Sequence, residues 1–494
     1  MKFQSTRDTK AAKFSAAQVI KQGLAADGGL FVPEEIPTLS AEEIKALCAV
    51  DYPTRAARIL GKFLTDYTEE ELLADCKAAY AETSFVGGAA PLVALDDTLH
   101  SLELWHGPTA AFKDMALQIM PRLLSRALVK TGEERTALIL VATSGDTGKA
   151  ALEGYKDIDR IKIAVFYPEN GVSRVQKLQM QTQTGDNVYV CAINGNFDDA
   201  QTGVKKIFSD LAAAKALDEK GYFLSSANSI NWGRLAPQIV YYVSAYCDLL
   251  NKGSIKMGDK MNVTVPTGNF GNIFAAYLAK LMGLPIDKLI CASNKNNILT
   301  DFLATGTYDR NRAFHLTMSP SMDILISSNL ERLLYLTAGA ERTAAYMAAL
   351  NKNGAYTVDA DVKAAIDASF KGYFADEEKT AATIREIMKK YNYLADTHTA
   401  VALSAAKQYI EESGDQRPMV VASTASPYKF AADVYASLYG EKPADALAAL
   451  DALSANTKTE IPYPLCGIGK RTVRFTDVVD SDKMWNAVSA YVEK

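Results

Sequence analysis

The sequence of 494 residues has little of what marks secreted, metal-binding or membrane proteins. It has six cysteines without a CxxC pair or a histidine partner pattern, which argues against a zinc site or a disulfide framework. A net charge of -5 offers no basic patch for nucleic acid, and no stretch reaches the ~18 consecutive apolar residues of a membrane span. We expect reduced thiols in the core at Cys48, Cys76, Cys191, Cys247, Cys291 and Cys466.

Histidine is also scarce. His106 and His398 lie in patterned segments, whereas His100 and His315 have no accompanying pattern. Because no Ser-His-Asp arrangement is visible, serine-hydrolase chemistry has little support. Residues 1–8 carry charge early and lack an apolar stretch, so a secretory signal is not expected and the cytoplasm is the default location.

What the chain does have is an ordinary globular composition, with 48% apolar and 22% charged residues. This length and composition predict two or three structural units with ample core. Apolar runs separated by helical patterns predict an α/β protein with largely parallel sheets. The predicted strands cover residues 137–142, 161–167, 187–193, 222–226, 261–266, 288–292 and 418–423.

The same pattern predicts three segments. Residues 1–100 are expected to be helix-rich, with helices that open near residues 41 and 68 after cap-like residues. Residues 120–235 are expected to form a smaller α/β domain. Residues 101–119 and 236–494 are expected to form a larger α/β domain.

Lys113 is the first candidate for chemistry. It lies in the run WHGPTAAFKDMALQ at residues 105–118, where a glycine/proline turn enters an apolar helical stretch. Partial desolvation there would favour the neutral amine and so Schiff-base chemistry with an aldehyde. The alternative is a solvated lysine at a helix N-terminus, and this segment alone does not decide between the two.

In each of three further segments the pattern predicts a strand, a short polar loop and the start of a helix. In residues 261–277, Gly268 and Gly271 let the backbone approach a ligand, and a helix N-terminus attracts phosphate. In residues 136–152 a hydroxyl-rich turn suits a small carboxylate, and residues 419–430 repeat the pattern. Each could alone be an ordinary turn or helix cap. Together they predict one crevice at the carboxyl ends of the strands.

These segments resemble the threonine synthase family, in its longer bacterial and fungal branch, over nearly the whole length. The resemblance implies the pyridoxal 5′-phosphate (PLP) fold type II, which is tryptophan synthase β-like, with PLP held by the larger domain. It also implies conversion of O-phospho-L-homoserine and water to L-threonine and phosphate. The matching segments are Ser5-Thr6-Arg7, residues 23–33, the Lys113 run, and residues 144–148, 266–272 and 396–401.

The family resemblance also implies roles for particular residues. Lys113 would form the Schiff base and then move the α and β protons, and Thr424 would face the pyridine nitrogen. The cofactor phosphate would be held by Gly268, Asn269, Phe270, Gly271 and Asn272. The substrate carboxylate would be held by Thr143, Ser144, Thr147 and Gly148. The substrate phosphate would meet Asn228, Ser229 and Arg234, with Ser229 and Arg234 the best candidates because a guanidinium meets phosphate bidentately.

Three positions depart from the family pattern: Asn272 where the longer branch often has Asp, Asp146 where the wider superfamily has Asn, and Ser426 where relatives often have His. They leave the fine hydrogen bonding around the phosphate and ring open. Alternatives within the same class are a dehydratase, a cysteine synthase or a tryptophan synthase β-type enzyme. An alternative outside it is a ligand-binding homologue without turnover. The sequence predicts no oligomeric state.

Overall fold

The computed structural model describes residues 1–10, 12–143 and 145–493. The strands are β1 (Phe3–Ser5), β2 (Phe31–Pro33), β3 (Leu92–Ala94), β4 (Leu99–Glu103), β5 (Thr136–Ala142), β6 (Ile161–Pro168), β7 (Val188–Asn194), β8 (Tyr222–Ser225), β9 (Met261–Pro266), β10 (Ile286–Ser293), β11 (Thr307–Asp309), β12 (Ala355–Thr357), β13 (Phe370–Phe374), β14 (Met419–Ser423) and β15 (Val478–Asp480).

Helices connect and cover these strands. They are α1 (Ala16–Gln22), α2 (Ala41–Cys48), α3 (Tyr52–Phe63), α4 (Glu69–Ala79), α5 (Asp114–Leu117), α6 (Met120–Lys130), α7 (Asp146–Tyr155), α8 (Arg174–Gln181), α9 (Phe197–Ser209), α10 (Leu211–Glu219), α11 (Trp232–Leu235), α12 (Pro237–Asn251), α13 (Gly271–Leu281), α14 (Ile298–Thr305), α15 (Leu330–Asn353), α16 (Ala360–Asp367), α17 (Glu377–Tyr391), α18 (Thr397–Ser413), α19 (Ala431–Tyr439), α20 (Ala446–Thr457) and α21 (Met484–Val492).

Two larger sheets organise the molecule. One has the order β13-β10-β9-β14-β4-β3 and is parallel except for the β3–β4 pair. The other has the order β15-β7-β6-β5-β8 and is parallel throughout. Helices cover both, so inner strands such as β14 are buried along their whole length and have largely apolar sequences. The ligand-binding crevice of such sheets lies beyond the carboxyl ends of the strands.

The strands predicted from apolar runs are confirmed to within two residues at each end. Three strands of the six-stranded sheet, β3, β4 and β13, were not predicted. Strand β4 has the sequence LHSLE and is nevertheless buried at every position. Its polar side chains are hydrogen-bonded, for example Ser101 with the Tyr393 hydroxyl at 2.8 Å. A polar side chain can be buried when its hydrogen bonds are made, and such a strand does not appear as an apolar run in the sequence.

Strand pairing differs from the predicted segments at two places. Strands β3 and β4 come from the first hundred residues and lie in the six-stranded sheet. Strand β15 comes from the last twenty residues and pairs in parallel with β7, with Val478 opposite Ala192. The division into domains stays a prediction. The sheets place β3 and β4 with the strands of the predicted larger domain and β15 with those of the smaller one.

The N-terminal segment is tied to the start of α15. Arg7 forms a two-pronged ion pair with the buried Glu331, through Nε to Oε1 at 2.8 Å and Nη2 to Oε2 at 2.7 Å. Thr6 donates its hydroxyl to the same carboxylate, and Ser5 donates to Asp27 at 2.8 Å. The Ser5-Thr6-Arg7 motif is therefore an anchor between distant parts of the chain.

The cysteine prediction needs one correction. Cys76, Cys191, Cys247 and Cys291 are buried free thiols, but Cys48 is half-buried and Cys466 is exposed. In the described part of the chain, none of the helices combines the length and apolar character of a membrane span.

Candidate active site

Lys113 is held where two parallel strands end. Strands β4 and β14 pair with Glu103 opposite Ser423, and the loop after β4 runs beside the residues that follow β14. The amide of Phe112 donates to the carbonyl of Thr424 at 2.8 Å, and Ala111 bridges to Ala425. Two segments that are 300 residues apart in sequence therefore meet at the lysine.

The Lys113 side chain is 12% exposed. Burial lowers the pKa of its amine from 10.5 to about 8, although the carboxylate of Asp146, with Oδ2 at 3.9 Å from Nζ, acts in the opposite direction. The positive charges of Lys429 and Arg234 lower this pKa further. The environment thus raises the share of neutral amine near physiological pH far above that of an ordinary lysine, as Schiff-base chemistry requires.

Asp146 and Lys429 form a buried ion pair beside Lys113. Lys429 Nζ lies 2.7 Å from Asp146 Oδ1 and donates to the Thr109 carbonyl at 3.0 Å. Gln176 Nε2 donates to Asp146 Oδ1 at 2.9 Å. Burial raises the pKa of the Asp146 carboxyl, but Lys429 and Lys113 outweigh that effect and hold this pKa well below its ordinary value.

The glycine-rich loop joins β9 to α13. A side chain at Gly268 would lie 2.6 Å from the Ser321 carbonyl oxygen, and Phe270 adopts a left-handed conformation with φ of +62°. The loop is fixed by hydrogen bonds from Ser327 Oγ to Gly268 O at 2.6 Å and from the Asn329 amide to Asn269 O at 3.0 Å. Because α13 has no side-chain cap, the N–H groups of its first turn are available to an anion.

Asn272 lies in the first turn of α13 and is buried. Its Oδ1 accepts from the Tyr241 hydroxyl at 2.8 Å and also contacts the Tyr242 hydroxyl. Its Nδ2 has no hydrogen-bond partner among residues 1–10, 12–143 and 145–493. A buried donor without a partner beside a glycine-rich loop fits a phosphate.

The turn after β5 is organised by Thr143. Its Oγ1 accepts from the amides of Gly145 at 3.0 Å and Gly148 at 2.9 Å, so the Gly148 amide is engaged within the turn. Gly148 has no room for a side chain against Thr143 and Val165, and Thr147 is half-buried. Ser144, which was predicted to bind the substrate carboxylate, lies outside the described residues.

The segment before α12 carries the predicted contacts to the substrate phosphate. Asn228 is exposed, Ser229 is half-buried and Arg234 is buried. Arg234 donates through Nη1 to the Ala227 carbonyl at 2.5 Å, whereas its Nε has no partner in the part of the chain that the structure describes. Burial lowers the pKa of this guanidinium to about 10. An unpaired buried cation is costly, and an anionic ligand would relieve that cost.

Thr424 and Ser423 use their hydroxyls differently. Ser423 Oγ accepts from Trp105 Nε1 and from Thr399 Oγ1, both at 3.1 Å. The Thr424 hydroxyl makes no hydrogen bond within the described ranges, and its backbone carbonyl binds Phe112. Thr424 is therefore the neighbour whose hydroxyl remains available to a ligand.

The candidate site draws on loops from both sheets. Lys113 contacts the turn after β5 through Asp146, and the loop of residues 267–271 follows β9, the neighbour of β14 in the sheet. The sequence reasoning missed Lys429. It lies five residues after Thr424 in a segment already singled out, but its pairing with Asp146 has no sequence signal.

Comparison with known proteins gives three family matches along the chain. The models matched are "Threonine synthase N terminus" at residues 2–80, "Pyridoxal-phosphate dependent enzyme" at residues 83–424 and "Threonine synthase, C-terminal" at residues 399–492. A threonine synthase from Pseudomonas aeruginosa is 40% identical over 90% of this chain and 92% of its own. The chain belongs to the threonine synthase family. The family resemblance, the fold class and the PLP cofactor are thereby confirmed.

Two further relatives extend the comparison. The crystal structure of PLP-bound threonine synthase from Brucella melitensis is 38% identical, with a TM-score of 0.88 over 100% of this chain and 98% of that one. Threonine synthase-like 1 from Pongo abelii is 42% identical over 86% of this chain. The chain spans 58% of the length of that relative.

Proposed function

We propose that this chain converts O-phospho-L-homoserine and water to L-threonine and phosphate, the last step of threonine biosynthesis, with PLP as cofactor. The observation that carries the proposal is the buried Lys113 amine, whose pKa is lowered to about 8 at the edge where the candidate loops meet. Membership of the threonine synthase family supports the choice of reaction. We also propose a cytoplasmic location.

The residues present fit PLP. An amine with a lowered pKa suits the aldehyde. The start of α13 and the nearby Asn272 Nδ2, which have no capping or hydrogen-bonding side chain among the described residues, suit the phosphate. The free hydroxyl of Thr424 suits the pyridine nitrogen, which a neutral partner leaves less often protonated than a carboxylate would. The proposed phosphate contacts are Gly268, Asn269, Phe270, Gly271 and Asn272. When bound, PLP supplies an electron sink for the negative charge that develops on the substrate carbons.

Lys113 would hold the cofactor and then, once released by substrate, move protons through Nζ. A group that both takes and returns a proton works best with a pKa near the working pH, and about 8 meets that condition. Thr143, Ser144, Thr147 and Gly148 would orient the substrate carboxylate. In that role Thr143 acts through the shape of the turn, because its oxygen already accepts two amides.

Arg234 would receive the phosphate that leaves the substrate, together with Ser229 and Asn228. Its unpartnered Nε and the absence of a carboxylate in ion-pair contact within the described ranges support this role, since a phosphate oxygen would complete the hydrogen bonds. A guanidinium remains charged throughout the physiological range, so the contact persists as phosphate departs.

The decisive experiment is incubation of the purified protein with O-phospho-L-homoserine, with phosphate release and threonine formation followed together. We expect equal amounts of the two products. Phosphate release with a 2-oxo acid in place of threonine would favour a dehydratase, and binding without either product would favour a ligand-binding homologue. In parallel, borohydride reduction should fix the cofactor mass on the peptide that contains Lys113, and labelling of another lysine would contradict the assignment.

A further inference from the structure

A second buried lysine lies beside Lys113 without an assigned role. The Lys429 side chain is fully enclosed, and its ammonium is 2.7 Å from Asp146 Oδ1 and 3.0 Å from the Thr109 carbonyl oxygen that accepts from it. A lysine is rarely enclosed in this way unless it is paired. Its position is therefore determined by Asp146 and by the loop that leads to Lys113.

The Asp146 carboxylate faces two amines with its two oxygens. Oδ1 is held by Lys429 at 2.7 Å and by Gln176 Nε2 at 2.9 Å. Oδ2 is 3.9 Å from Lys113 Nζ. Because Oδ1 is fixed by two donors, the orientation of the carboxylate plane is fixed, and Oδ2 is turned toward the Lys113 amine.

The ion pair also joins the two sheets. Asp146 begins α7, which follows β5 of the five-stranded sheet, and Lys429 follows β14 of the six-stranded sheet. Each sheet thus supplies one partner, and the pair forms next to the loop that carries Lys113. The position of the carboxylate relative to Lys113 depends on the cross-sheet contact with Lys429.

We propose that Lys429 is a positioning residue that fixes and balances the Asp146 carboxylate beside the Lys113 amine, so that the two opposite charges together set how readily that amine exchanges its proton. The importance of Lys429 for catalysis rests on the proposed function. The contacts among Lys429, Asp146 and Lys113 are present in the chain without any ligand. The other charged groups that face Lys113 are Arg234 and Asp114. They stay in place when Asp146 or Lys429 is changed.

Opposite changes in the titration of Lys113 are expected from the two partners. Asp146→Asn removes a negative charge and should lower the pKa of Lys113, whereas Lys429→Met removes a positive charge and should raise it. Each shift should be about one pH unit, because both charges act on the amine inside a site from which water is largely excluded. The double variant should lie between the two, close to the parent chain. A loss of packing would not shift the two single variants in opposite directions.

The test uses the full-length chain, freed of bound aldehyde with hydroxylamine and dialysis. Competitive labelling with acetic anhydride across the neutral and alkaline range, read by mass spectrometry on the Lys113 peptide, gives the titration of that one amine. Because neither cofactor nor substrate is present, the result is independent of whether threonine is formed. A chain that makes no threonine can still show opposite shifts, and an active chain can fail to show them.

A control variant separates this role from general loosening of the fold. Lys149→Met removes another buried lysine from α7, one that pairs with Glu153 at 2.9 Å, and should leave the Lys113 titration unchanged. An equal shift in this control, or shifts of the same sign in the two single variants, would overturn the proposal. If Lys429→Met does not fold, Lys429→Gln takes its place, and an unchanged titration of Lys113 in either that variant or the nearly isosteric Asp146→Asn would also overturn the proposal.

Discussion

The starts of α11 and α15 each bury an arginine, and the two side chains differ in how many of their hydrogen bonds are made. Arg332 donates through Nε to the Phe31 carbonyl at 2.9 Å and through Nη2 to the Ile230 carbonyl at 2.6 Å. Its Nη1 donates to the Asn329 side chain. Arg332 thus connects the N-terminal segment, the loop before α11 and the support of the glycine-rich loop.

Arg234 is almost as deeply buried but makes one side-chain hydrogen bond, to the Ala227 carbonyl, and leaves Nε without a partner within the described residues. Burial lowers the pKa of both guanidinium groups, to about 10 for Arg234 and about 9 for Arg332. Equal burial therefore does not distinguish the two roles. Complete hydrogen bonding indicates a structural residue, and incomplete hydrogen bonding indicates a place for a ligand.

The largest effect is expected from Arg332→Met. This change leaves two buried carbonyls and one amide oxygen without their donor, at about 1 to 3 kcal/mol each. The free energy of unfolding should fall by about 3 to 5 kcal/mol, measured by denaturant titration. Arg342→Met on the same helix, where the arginine is 38% exposed, is the control and should leave the midpoint nearly unchanged. Equal losses in the two variants would contradict the structural role.

A second test concerns Lys113, the amine that we propose binds the aldehyde of PLP. The pKa of Lys113 is about 8 in the folded chain against an ordinary value of 10.5, so the unfolded chain binds more protons between these values. Stability due to this group therefore rises with pH across that window. Replacing Lys113 with Met should stabilise the cofactor-free chain at pH 7 by about 3 kcal/mol, and the gain should fade by about 1.4 kcal/mol per pH unit above pH 8.

The measurement for Lys113→Met is denaturant unfolding of both chains at several pH values. Lys205→Met on α9, at an exposed lysine, provides a matched loss of one amine and should follow the parent chain. A gain that stays constant through the window would show that packing, and not the buried charge, causes it. The same Lys113→Met chain should lose nearly all turnover, because covalent attachment and proton transfer go together.

Arg234→Met should separate binding from stability. Loss of a charge-assisted contact of about 1.5 to 3 kcal/mol predicts a drop of about one to two decades in kcat/KM for O-phospho-L-homoserine and weaker inhibition by phosphate. The free energy of unfolding should not fall, because a buried cation with incomplete bonds is removed. Arg234→Lys should recover part of the activity, since an ammonium lacks the planar fork. An unchanged KM with loss of cofactor would show that this residue serves the cofactor instead.

The contrast between the two arginines also shows which residue roles could be predicted from the sequence. Both lie in segments with clear helix starts, and Arg234 was singled out by family resemblance. Within the described residues Arg234 Nε has no partner, which depends on where tertiary packing places the surrounding acceptors and is encoded in no local pattern. Arg332 was not singled out, because its three acceptors come from residues up to 301 positions away.

More of the fold than of the candidate site could be predicted from the sequence. Strands such as β5 and β14 are apolar runs that end in hydroxyl-rich turns, and their burial on both faces follows directly from that composition. The parallel α/β pattern predicted a crevice shared by the loops after residues 142, 266 and 423, and the structure places each of these loops at the carboxyl end of a parallel strand. The Asp146–Lys429 pair did not, because its partners come from different sheets and are set by tertiary packing.

The smallest effects should distinguish Ser423 from Thr424 by the same rule. Ser423→Ala leaves the Trp105 indole N–H unpaired, whereas the Thr399 hydroxyl keeps its bond to Asp396, and the free energy of unfolding should fall by about 1 to 2 kcal/mol with little change in the cofactor absorbance. Thr424→Val keeps the shape, removes a hydroxyl without partners in the described chain, and should leave stability nearly unchanged while shifting that absorbance. Thr424→Asp should shift it further and alter the product ratio, because a carboxylate favours the protonated pyridine ring. If Ser423→Ala changed the spectrum and Thr424→Val did not, the hydroxyl that faces the ring would be that of Ser423.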